Sequence, residues 1–142
     1  MSGLTETVAV RPLHPIHAML LAFPLALFVG ALLSDIAYAR SYHVQWANFA
    51  SWLIVGGLVM GAFAVLWALV ELFPHTPHRG RAVIYFVVLL AMWVLGFFNA
   101  LVHARDAWGA MPQGLYLSAA TALLAAIAAW MGYSRTLPGG VT

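Results

Sequence analysis

The chain has 142 residues, of which 64% are hydrophobic and 7% charged, with a formal net charge of +2. Soluble domains carry roughly 25% charged residues, so six arginines, two aspartates and two glutamates cannot cover a water-facing surface. This excludes an ordinary soluble enzyme, a disordered tail and a nucleic-acid binder, and the absence of cysteine excludes disulfides, thiolate metal sites and iron–sulfur clusters.

What remains is a chain dissolved in lipid. Spanning a hydrocarbon core of about 30 Å takes roughly 20 apolar residues as a helix, and four segments qualify. The first runs from about Pro12 to Asp35. Pro12 and Pro15 fall in its first turn, where a missing N–H is harmless, and Pro24 predicts a kink. His17 and Asp35 are five helical turns apart and share a face, with Leu21, Pro24, Phe28 and Ala31 between them and His14 to one side. Arg11, the apolar stretch and Ala37-Tyr38-Ala39 mimic a secretory signal. Pro24, the two histidines and Asp35 favour a helix that stays.

The second span covers Ala47 to Val70 and contains Gly57-x-x-x-Gly61. Small residues at this spacing mark helix contacts in membranes. Close packing within the bundle is the preferred reading, and a homodimer through Gly57 and Gly61 is the other. Pro74, Pro77 and Gly80 break the chain before the third span, Ala82 to Val102, and His75 and His78 in that break read as solvated surface. Asn99, His103 and Asp106 fall at i, i+4 and i+7, on one face. Met111-Pro112 and Gly114 open the fourth span, Leu115 to Tyr133, which is alanine-rich and carries Ser118 and Thr121. The deep Trp52, Trp67 and Trp93 read as packing, or as the wall of a cofactor site.

These elements predict one all-α domain over residues 1–142, an integral membrane four-helix bundle, antiparallel up-down-up-down, with links of about a dozen residues. Arg11, Arg79, Arg81 and Arg135 lie on one side against Arg40 and Arg105 on the other, which places both termini in the cytoplasm. By depth, the polar groups sort into two clusters. Asp35, His43, Asn48, Asn99, His103, Arg105 and Asp106 gather toward the outer surface, and His14, His17, His75 and His78 toward the inner one. Asp35, Asn48, Asn99 and Asp106 form the expected polar intramembrane face, because such groups must point into the bundle. Asp35 and His103 should meet each other or a shared partner.

His14-Pro15-Ile16-His17, then Phe23-Pro24 and Gly30-Ala31-Leu32-Leu33-Ser34-Asp35, resembles the opening of the bacterial membrane family called domain of unknown function 2231. Trp46-Ala47-Asn48-Phe49-Ala50-Ser51-Trp52, Asn99 to Trp108 and Met111-Pro112-Gln113-Gly114 are similar to its later blocks. The resemblance covers nearly the whole chain. It implies a four-helix protein of the bacterial inner membrane, keeping company with redox modules such as Rieske or cytochrome c domains. Many members have a histidine directly before the Phe-Pro, where this chain has Ala22.

Three functions compete. The first is a membrane subunit or anchor without a cofactor, serving a periplasmic dehydrogenase or cytochrome. The second is a haem b electron-transfer protein with axial ligands among His103, His17, His14 and His43, since histidine is a common haem ligand. In that reading His103 is the first choice, and Asn99 or Asp106 accepts its second N–H. The third is a small transporter or channel using Asp35, Asn99 and His103 as a polar pathway.

Overall fold

In the computed structural model, the described residues are 14–73, 79–105 and 107–134. Among them the chain is helical with no strand. The helices are α1 (Pro15–Ser41), α2 (Val44–Val70), α3 (Arg79–His103), a single turn α4 (Ala107–Ala110) and α5 (Gln113–Tyr133). Each of the four long helices is long and apolar enough to cross a membrane. Pro15 opens α1, and the helix continues through Pro24.

The helices run longer than the hydrophobic spans because nothing in the flanking polar residues stops them. The link expected after Asp35 shrinks to Tyr42 and His43. Tyr42 ends α1 in the left-handed region, at φ 56°, with its N–H donating to Tyr38 O at 2.8 Å. His43 caps α2. The break before α3 and Asp106 lie outside the described residues, as do Arg11, His75, His78 and Arg135.

Each long helix packs mainly on two others, closing a ring in the order α1, α2, α3, α5 and back to α1. Neighbours are antiparallel. Ser118 near the start of α5 meets Asp35 near the end of α1, while Tyr133 at the end of α5 donates to Ala18 O near the start of α1.

The buried positions explain the ring. Most fall at alternating steps of three and four: 17, 21, 24, 28, 31, 35 and 38 on α1, with Ser34 beside them, and 47, 50, 54, 57, 61, 64 and 68 on α2. Helix α3 buries 85, 89, 92, 96 and 99, with 103 next in the series, and α5 buries 114, 118, 121, 125, 128 and 132, with Ala122 and Ala129 beside them. That spacing is the seam of a left-handed bundle. Outside the seam, large apolar side chains such as Leu33, Val59, Phe63 and Phe98 face outward, as a lipid solvent requires.

The middle of the bundle is filled by Phe28, Ile54, Leu89 and Met92, each 1% exposed or less. The Phe28 ring lies where a β-carbon on Gly57 would come within 2.8 Å of it, and one on Gly96 within 3.1 Å. Gly57 and Gly61 therefore face inward, Gly61 toward Met92 and Trp93. Both glycines are thus used for close packing within the bundle, the preferred of the two readings. Of the deep tryptophans, Trp52 points out at 71% exposure, so it neither packs the core nor walls a site. Trp93 donates to Leu58 O at 3.0 Å and stacks on Phe97, and Trp67 donates to Glu71 at 3.0 Å.

Candidate functional site: a buried Asp–His pair at one end of the bundle

Asp35 lies within the last two turns of α1 with no exposed surface, and His103 is the last residue of α3. Because α1 and α3 run the same way, these late positions come to one level. His103 Nε2 and Asp35 Oδ1 are 2.9 Å apart, with the two side chains 2% and 0% exposed. The expected meeting of Asp35 and His103 is thus direct.

The other partners come from α5 and α3. Ser118 Oγ donates to Asp35 Oδ2 at 2.5 Å, and Asn99 Nδ2 donates to Ser118 Oγ at 2.8 Å. His103 Nδ1 is 3.0 Å from Asn99 O. Ser118 has one proton and gives it to Asp35, so it can only accept from the amide. This orients Asn99 with Oδ1 turned away, and that oxygen has no partner among the described residues.

Hydrogen-bond accounting fixes the proton inventory. A carbonyl only accepts, so His103 Nδ1 must carry hydrogen. A bare Nε2 lone pair facing a carboxylate lone pair would be repulsive, so one proton lies in that contact. Whether written as imidazolium–carboxylate or as neutral imidazole and carboxylic acid, the pair holds zero net charge. That is what makes it tolerable inside a membrane.

Gly114 makes room for the ring. A β-carbon there would come within 2.7 Å of His103 Cε1, and a ring held at both nitrogens cannot step aside. Beside the ring, the first turns of α2 and the end of α3 enclose a groove of about 270 Å³, lined among others by Gln45, Asn48, Ser51, His103 and Arg105.

The polar face expected from sequence is therefore divided. Asp35, Asn99 and His103 come together. Asn48 does not join them, because its place on α2 falls off the buried seam; it is exposed and lines the groove. His43 is exposed at the start of α2. Asp106 lies outside the described residues. Ser118 and Gly114 join the site without having been expected there, although both lie on the small-residue seam of α5.

His17 is buried at the opposite end, where Nε2 shares a 3.0 Å hydrogen bond with Tyr85 Oη. His14 is exposed, its ring 5.6 Å from that of Trp67, which is also 5.5 Å from the His17 ring. Along α1 the two clusters are about 27 Å apart at roughly 1.5 Å per residue. His17 and His103 thus cannot ligate one haem. Iron at His103 would have to displace either Asp35 from Nε2 or Asn99 O from Nδ1, so His103 as it stands does not fit as a haem ligand.

A family model described as "Predicted membrane protein (DUF2231)" matches residues 13–142. No curated protein and no solved structure matches.

Proposed function

The chain belongs to this family of membrane proteins, and on that footing we propose that it is a small subunit or anchor of the bacterial inner membrane, serving a membrane or periplasmic redox enzyme. The observation that carries this reading is the closed interior. Polar side chains gather at the two ends, while Phe28, Ile54, Leu89 and Met92 fill the space between. A pathway for ions or small polar solutes would need polar groups continuing past Asn99, and the next seam positions on α3 are Gly96, Met92 and Leu89. The Asp35–His103 pair, bonded on all sides by α1, α3 and α5, serves this reading as a lock that holds helix ends in register. The redox partner is suggested by the modules whose company the family resemblance implies.

Membranes from a strain lacking the chain provide the test. A membrane-bound redox activity should fall and appear in the soluble fraction, returning when the gene is restored. Unchanged partition of every such activity would sink the anchor reading.

The orientation proposed from the arginines puts both termini in the cytoplasm and the Asp35–His103 end outside. Ser41→Cys and Gly109→Cys, both at exposed positions of that end, should react with an impermeant thiol reagent added from outside. Phe73→Cys, exposed at the far end of α2, should react only after the membrane is opened. The reverse pattern would invert the topology.

A further inference from the structure

We propose that the groove beside His103 is a binding site for a phosphate-type anion, presented by the headgroup of an acidic phospholipid. Its chemistry favours an anion. Arg105 brings a guanidinium with five donors, Gln45 and Asn48 each bring an NH2 with two beside the amide oxygen, and no carboxylate is among the described lining residues. None of these three side chains makes a hydrogen bond or ion pair among the described residues. Ser51 has spent its proton on Ala47 O at 2.9 Å. Among the described lining residues the formal charge is that of Arg105, and both amides can turn their NH2 groups toward the same ligand, which calls for an acceptor-rich anion.

Charge points the same way. Asp35 is a nearby carboxylate, but the proton it shares with His103 leaves the pair neutral, so among the described lining residues the charge is that of Arg105. Guanidinium binds phosphate oxygens in a matched, bidentate geometry.

Depth and size favour a lipid. The groove lies where α2 begins and α3 ends, level with the exposed Trp46 and Trp108, residues that mark the membrane–water interface. Its volume of about 270 Å³ is more than a bare phosphate fills.

The test uses the purified full chain in nanodiscs of phosphatidylcholine, with phosphatidylglycerol titrated in and retained lipid counted by native mass spectrometry. Wild-type protein should prefer phosphatidylglycerol, and Arg105→Gln should weaken that preference about tenfold, the loss of one charge-assisted hydrogen bond. Arg40→Gln, an exposed arginine at the same end that does not line the groove, should keep the preference. A second arm adds inorganic phosphate to phosphatidylcholine discs and follows the side-chain amide signals of Gln45 and Asn48 by NMR. Shifts that need Arg105 would support the anion site with a free anion as its source. Overturning results are equal losses in the two arginine variants, or no Arg105-dependent response to either probe.

Discussion

Asp35→Leu should destabilise the bundle by about 3–5 kcal/mol, the range for removing one partner of a buried ion pair. An ordinary interhelical hydrogen bond in a membrane protein contributes only about 0.6 kcal/mol, so the bonds by themselves do not reach that figure. Most of the loss comes from what the variant leaves behind: a His103 ring 2% exposed, pinned to Asn99 O, with a polar Nε2 facing a leucine. Asp35→Asn keeps an acceptor and should cost less, about 1–3 kcal/mol. The paired variant Asp35→Leu/His103→Leu distinguishes the causes. Replacing a whole buried pair by apolar groups is often neutral or stabilising, and Ser118 can turn its proton to a carbonyl one turn back. The double variant should therefore recover most of the loss in equilibrium unfolding from mixed micelles. Losses that simply add would mean that the two residues act independently.

Phe28→Ala should be the next most costly change. Truncating a buried phenylalanine costs about 3–5 kcal/mol in soluble cores, part of it transfer and part of it the cavity. In a bilayer the unfolded helices already sit in an apolar solvent, so the transfer part shrinks and about 3 kcal/mol is expected. The cavity part stays because Gly57 and Gly96 have no side chains to fill the space that the ring leaves. Leu33→Ala, five residues away but 61% exposed, should stay within about 0.5 kcal/mol. Equal effects at the two positions in the same unfolding assay would remove Phe28 from its place at the centre.

The contrast between these residues shows what is legible in the sequence. Helical spacing reveals the stripe from His17 to Asp35, and it puts Asn99 and His103 on one face of α3. Extending that series backward by steps of four and three from His103 reaches Gly96, Met92, Leu89 and Tyr85. Tyr85 as the partner of His17 is therefore within reach, hidden because one tyrosine among apolar neighbours reads as interfacial. Ser118 reads in sequence only as a small residue. Its role as donor to Asp35 depends on the register between α5 and α1, which periodicity within one helix does not set. Asn48 departs from expectation for a related reason. Its depth is right, but its angle around α2 is one residue from the buried Ala47, which turns it by about 100°. The short link at Tyr42 and His43 escapes a hydropathy reading because hydropathy marks where lipid ends, whereas a helix ends where its backbone is turned.

One proton held between Asp35 and His103 ties α1 to α3 near one end of the bundle. The direct measurement is solid-state NMR of ¹⁵N-histidine-labelled protein in lipid bilayers, with the His103 ring signals assigned by their loss in His103→Gln. Nδ1 should appear protonated and hydrogen-bonded, and Nε2 should show a strong hydrogen bond whose shift moves when Asp35 is changed to Asn. A His103 Nε2 signal indifferent to Asp35→Asn would contradict the pair itself.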